Sequence, residues 1–175
     1  MKNLNTLLAG IFLAVALPFG ALVISSQVQL GTLGRAPAEE GGPLFPSREP
    51  GLAIQGRAVY VSLGCVNCHT QQVRPAGQGS DIARGYGARP SVARDYAQQG
   101  QVLLGDRRVG PDLANYGARA KDVDAVHAAI KHNGGFSFLY AGDKQTVASE
   151  RAVALAAYLQ SLRQDYSSPE AKLKQ

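Results

Sequence analysis

Both cysteines of this 175-residue chain lie in one pentapeptide, Cys65-Val66-Asn67-Cys68-His69, and a histidine directly follows the second of them. No other stretch limits the possible folds as tightly. C-x-x-C-H is the attachment signature of a c-type haem. Two thiols at this spacing reach the two vinyl groups of one haem and form thioethers. The helical turn that they open then places the imidazole of His69 under the iron as proximal ligand. A zinc site would call for four ligands, usually through a second matched Cys/His pair, and none is visible. A redox C-x-x-C motif would sit in a βαβ setting, whereas the flanks here read as helical. A disulfide between residues 65 and 68 would close a strained, short loop. The motif therefore predicts one covalent haem c, held by Cys65 and Cys68 and ligated by His69.

The start of the chain has a different character. From Asn3 to Gly34 no residue is charged, and Leu7 to Val28 is apolar for long enough to cross a bilayer. A cleaved signal peptide would have a shorter apolar core followed by an A-x-A-like site. Ala14-Val15-Ala16 has that shape, but the apolar run continues to Ile24, and the proline of Ala36-Pro37-Ala38 suits cleavage poorly. The expectation is an uncleaved single-pass anchor over residues 1–34, kinked at Pro18. The few flanking charges orient it only weakly. Thioether attachment takes place outside the cytoplasm, which puts the haem domain on the periplasmic side of a bacterial inner membrane. Residues 35–50, rich in Pro, Gly and charge, read as a linker. A single domain is expected over 51–166, followed by a polar tail over 167–175.

Within that domain, Gly51 to Leu63 reads as a helix with Ile54, Ala58 and Val61 on one stripe and Tyr60 beside it. Residues 70–105 carry scattered Gly and Pro and read as loops, with one short helix near Ser91 to Gln98. Asp122 to Lys131 forms a short helix with Val123, Val126, His127 and Ile130 on one face. Ser149 to Arg163 is the clearest helix. Ser149 caps it, and Leu155, Leu159 and Leu162 make its stripe. Ala152, Ala156 and Tyr158 flank that stripe, and the small residues permit a close crossing with the first helix. An N-terminal helix running into C-x-x-C-H is the pattern of an all-α, class I cytochrome c-like domain.

A proximal haem histidine needs its second ring nitrogen fixed by an acceptor. Pro111, in Gly110-Pro111-Asp112-Leu113, resembles the proline whose carbonyl does this in class I cytochromes c. A plain Gly-Pro turn is the alternative. The usual sixth ligand is a methionine, and the only one is Met1, ahead of the span. His132, His127 or no strong protein ligand stay open for the distal position, with His127 also readable as a core or propionate-binding histidine. Arg74, Arg89, Arg107 and Arg108 are candidate propionate partners, with Arg74 and Arg108 nearest the two haem motifs. From Arg57 to Arg119 there are eight Arg against four Asp. This mild excess suits steering of an acidic redox partner and is too scattered for nucleic acid. No hydrolase or transferase constellation is present: no Ser/His/Asp set, no paired carboxylates, no phosphate loop.

Gly56-Arg57-Ala58-Val59-Tyr60, leading into Gly64-Cys65-Val66-Asn67-Cys68-His69-Thr70-Gln71-Gln72-Val73-Arg74-Pro75, resembles the monohaem cytochrome c subunit (subunit II) of cbb3-type haem–copper cytochrome c oxidase. Tyr86-Gly87, Ser91-Val92-Ala93 and Arg108-Val109-Gly110-Pro111-Asp112-Leu113 continue the likeness in order. His127, Phe138-Leu139-Tyr140 and the single N-terminal anchor extend it. The resemblance implies a subunit that performs no bond chemistry itself. It would pass electrons from a soluble or tethered cytochrome c donor toward the membrane-embedded catalytic subunit. By position, Cys65 and Cys68 would hold the haem, with His69 as proximal ligand oriented by Pro111. The family presents a methionine in a Met-Pro segment where this chain has Asn133-Gly134-Gly135, so the distal loop departs from the pattern. Two other functions are compatible with the same residues: a free-standing membrane-tethered carrier, and a haem-based gas-binding or sensing protein with an open distal site.

Overall fold

The computed structural model describes residues 2–31, 33–132, 135–141 and 147–171. The chain divides into two compact units, Met1–Gly34 and Arg35–Gln175. The first is one long helix. It runs as α-helix over Lys2–Pro18, widens to a π-helix over Phe19–Ile24 and returns to α-helix over Ser25–Leu30. Pro18 has no N–H to donate and its ring crowds the carbonyl four residues back. The wider turn that begins at the next residue absorbs that break in the ladder. The helix Asn3–Leu30 covers 28 residues, and its most apolar 18-residue window has mean hydropathy 2.6. At about 1.5 Å per residue it reaches roughly 40 Å, more than the hydrocarbon core of a bilayer.

The second unit is built on two crossed helices, Gly51–Ser62 and Glu150–Ser161. Their contact depends on Gly56. A Cβ there would lie 1.9 Å from the carbonyl oxygen of Ala154. Ala53, Ala152 and Ala156 are fully buried around the crossing, and the Tyr60 and Tyr158 rings meet at 5.4 Å. The buried face of the first helix is thus Ala53, Gly56 and Tyr60, not the expected stripe of Ile54, Ala58 and Val61. Ile54 is 57% exposed and Val61 44% exposed. Close approach of two backbones selects the smallest side chains, and the larger aliphatic residues are turned outward. On the partner helix the expected stripe is inside. Leu155, Leu159 and Leu162 are buried, and Ser149 Oγ accepts from the Ala152 N–H at 3.2 Å. The helix stops at Ser161, so Arg163 lies beyond its last turn and pairs with Asp165 at 2.7 Å.

Two further pieces close this core. The turn Tyr116–Arg119 lies against the end of the last helix, where a Cβ on Gly117 would sit 1.9 Å from the Gln160 carbonyl oxygen. The helix Val123–His132 contributes Val126 and Ile130, while Val123 faces outward. In the long loop the expected short helix is a 3₁₀ turn over Ala93–Tyr96. The loop is pinned by Arg89, which donates to both oxygens of Asp95, and by the Tyr166 hydroxyl, which also donates to Asp95. Residues 35–50, read from sequence as a linker, are part of this unit. Ala36–Pro37 pairs antiparallel with Leu44–Phe45, and the Phe45 ring stacks on Tyr166 at 4.3 Å. A second two-residue ladder joins Tyr140–Ala141 to Val147–Ala148.

Candidate functional site

The first helix of the second unit ends where Gly64 adopts φ +72, a left-handed conformation that favours glycine. The reversal starts a one-turn helix, Cys65–Cys68, and His69 leaves it with extended backbone. The His69 N–H donates to the Cys65 carbonyl at 3.0 Å, which ties both ends of the motif together. Both cysteines are half-buried free thiols. Burial pushes the Cys65 thiol above its ordinary value.

His69 is held from two sides. Its Nδ1 lies 2.9 Å from the carbonyl oxygen of Pro111. A carbonyl only accepts, so Nδ1 carries the proton and Nε2 keeps a lone pair for a metal. Its own carbonyl accepts from the Tyr60 hydroxyl at 3.0 Å. The segment 105–113 runs alongside the motif. Arg107 N–H donates to Asn67, Gly110 N–H to Cys68 and Leu113 N–H to Thr70. Gly110 packs against the imidazole so closely that a Cβ would lie 2.1 Å from His69 Cε1. Beside Pro111, the buried Asp112 accepts from the N–H groups of Gln72 and Ala114, both at 2.9 Å. Burial raises its carboxyl above the usual range.

A cavity of about 410 Å³ opens on these residues. His69 and Cys65 stand on its wall, and Tyr60, Leu113, Ile130, Phe136, Leu155 and Leu159 make it largely apolar. This donor set fits a covalently held haem. It combines a histidine with a free Nε2, adjacent thiols and a largely apolar wall.

The other expected site residues are placed differently. Arg74 forks onto Asp81, with Nε and Nη2 both at 2.9 Å, and Arg108 reaches the same carboxylate at 3.3 Å and Gln72 Oε1 at 3.2 Å. The Arg74 guanidinium holds the Asp81 carboxyl down to about 2. Two cations share one anion, and neither arginine lines the cavity. Arg89 is committed to Asp95 and to the Tyr166 carbonyl. His127 Nδ1 lies 2.9 Å from the Tyr140 hydroxyl, and His132 is exposed at the end of its helix. Neither histidine is on the cavity wall. Asn133 and Gly134, at the place of the distal loop, lie outside the described residues, as does Met1.

Sequence reasoning missed the supports behind the motif: Tyr60, Tyr158, Gln71 and Asp112. Tyr158 donates to Gln71 Oε1 at 2.9 Å and Tyr96 to the Gln71 carbonyl at 2.7 Å. Only Asp112 carried a local signal, since an Asp side chain closing onto the N–H two residues on is a common turn device. The tyrosines meet Gln71 only through tertiary packing.

A family model described as cytochrome C oxidase, mono-heme subunit/FixO, matches residues 49–132. The search of curated proteins returned no match.

Proposed function

We propose that this chain is an electron-transfer subunit of cytochrome C oxidase, since residues 49–132 match the mono-haem subunit family of that complex, and that its own residues serve the transfer. One haem c is attached through Cys65 and Cys68, with His69 as proximal ligand. When bound, that group would supply one-electron transfer. Pro111 orients the imidazole and selects the tautomer that leaves Nε2 for the metal. Gly110, having no side chain, lets its backbone pack against the ring. The apolar wall would pack against the porphyrin and replace water on the face that it covers. Arg74 and Arg108 together exceed Asp81 by one positive charge, which suits them to face the haem propionates. The donor is a soluble or tethered cytochrome c, and the acceptor is the membrane-embedded haem–copper catalytic subunit. The helix Asn3–Leu30 anchors the chain, with the haem domain on the periplasmic side of a bacterial inner membrane.

The observation that carries this reading is the 2.9 Å contact from His69 Nδ1 to Pro111, beside the paired cysteines. The test is to run the purified subunit on a denaturing gel and stain for haem. The stain is expected to stay with the chain and to disappear in a Cys65→Ser, Cys68→Ser double variant. Haem that acidic solvent extracts from the unaltered chain would overturn the covalent assignment.

A second reading, a sixth position open to an exogenous ligand, is favoured by the cavity wall. Among the described residues lining it, His69 is the sole imidazole and no thioether is present. Carbon monoxide added to the reduced subunit separates the cases. A shifted Soret band means an open site. An unchanged low-spin spectrum means a strong protein ligand, and His132→Ala then tests that residue.

A further inference from the structure

The acceptor of His69 is a backbone carbonyl, and a carbonyl points where its peptide plane points. The plane that carries the Pro111 oxygen is completed by the nitrogen and Cα of Asp112. Whatever holds Asp112 therefore aims that oxygen. Asp112 is buried, and both oxygens of its carboxylate are engaged. Oδ1 accepts from the Ala114 N–H and Oδ2 from the Gln72 N–H, in the chain that leaves His69, both at 2.9 Å. On the main-chain side, Arg119 Nη2 donates to the Asp112 carbonyl at 2.5 Å. The Arg119 guanidinium lies over the Tyr86 ring, 5.0 Å from its centroid, and over the Tyr116 ring at 5.9 Å. The neighbouring N–H groups are tied as well, Gly110 to the Cys68 carbonyl at 3.1 Å and Leu113 to the Thr70 carbonyl at 2.9 Å.

These bonds close a ring. It runs from His69 Nδ1 to the Pro111 carbonyl, through Asp112 to its carboxylate, across to the Gln72 N–H and back along the chain to His69. A turn alone would need only the bond to Ala114. The bond to Gln72 is the one that joins the acceptor to the chain of the ligand. On the haem assignment above, we propose that Asp112 is a positioning residue for the proximal ligand, with Arg119 as its outer support. Together they fix the peptide that carries the Pro111 carbonyl and so hold its hydrogen bond to His69 Nδ1. An acceptor on Nδ1 makes the imidazole a stronger donor to a metal at Nε2, and hydrogen bonding around an axial ligand is one lever on the potential of a haem. Stronger donation favours the oxidised state, so a slackened bond raises the midpoint potential.

The test is a redox titration of the full chain, followed at the haem absorbance, with Asp112→Glu. That variant keeps the charge, and its longer side chain cannot set both oxygens on the same two N–H groups with the backbone unmoved. A more positive midpoint potential is expected, with covalent haem at the unaltered level. An unmoved potential with haem retained overturns the proposal and leaves the haem assignment standing. Asp112→Asn separates position from charge: a shift in that variant and none in Asp112→Glu is a charge effect and overturns the positioning role. Where Asp112→Glu fails to hold haem, Arg119→Lys decides, since it keeps the cation and removes the guanidinium from the Asp112 carbonyl. A smaller shift in the same direction is expected there, and an unmoved potential overturns the proposal. Absence of covalent haem from the unaltered chain would overturn both the proposal and the assignment beneath it.

Discussion

The imidazole of His69 has little freedom. Pro111 holds one nitrogen, Gly110 lies flat against the ring, and Tyr60 holds the backbone behind it. Gly110→Ala would insert a methyl 2.1 Å from a ring atom with no flexible side chain to yield. The expected outcome is a displaced proximal ligand, read as a strong loss of low-spin haem spectrum in the purified subunit. Asp81 makes a different kind of prediction. Its carboxyl is held near 2 by Arg74, below its ordinary value of 3.8. A carboxyl depressed by folding stabilises the native state above its unfolded value and ceases to do so as pH falls through the folded one. The contribution of Asp81 is therefore present above about pH 4 and lost between about pH 4 and pH 2. Acid unfolding followed at the Soret band is expected to be less steep in that window for Asp81→Asn. An identical acid limb in the two proteins would refute the ion pair's role.

Among the elements, the crossing of Gly51–Ser62 with Glu150–Ser161 positions Tyr60 and Tyr158 behind the haem motif. Gly56→Ala forces a methyl into the Ala154 carbonyl, and overpacking against backbone costs about 1–3 kcal/mol or more. Ile54→Ala, on the outward face of the same helix, is expected to change stability by no more than about 0.5 kcal/mol. Denaturant unfolding of the two variants checks the ordering, and a larger loss at Ile54 would mean that the outward face is covered in solution. The same helix shows what pattern reading leaves undecided. Ile54, Ala58 and Val61 and the set Ala53, Gly56 and Tyr60 are both helical stripes, and hydrophobicity favours the first. Only a neighbouring backbone at contact distance makes the smaller set the buried one. On the last helix no such rivalry exists, because its leucines and its cap point to one face, and that face is the one found inside.

For the whole molecule, the two compact units have separate physical origins. The N-terminal unit carries one long apolar helix, and the second, from Arg35 onward, encloses its own core. A chain lacking residues 1–34 is expected to partition into the aqueous phase while keeping covalent haem, as measured by detergent phase separation and haem stain. Removing residues 35–50 as well would also delete Phe45 from its stack on Tyr166. That shorter chain is expected to unfold at lower temperature than the first, by melting curves of the two haem-loaded forms.

The haem motif and the membrane span were determined by the sequence itself, for a local reason in each case. Two thiols and an imidazole within five residues lie within reach of one porphyrin, and an uncharged run of that length suits a bilayer whatever surrounds it. The pairing of His69 with Pro111 was half-legible. Its chemistry followed from the need of a ligating histidine for an acceptor, and its 2.9 Å geometry from the path of segment 105–113. Tertiary structure alone decided which arginines are tied down, which face of the first helix is buried, and that Tyr60, Tyr158 and Gln71 stand behind the motif. The Tyr158–Gln71 bond and the helix crossing join residues tens of positions apart, and the Arg74–Asp81 and Arg89–Asp95 pairs, though close in sequence, are set by the path of an irregular loop. Salt-bridge partners, close backbone approach and buried hydrogen bonds depend on distances in space, which the order of residues along the chain does not specify.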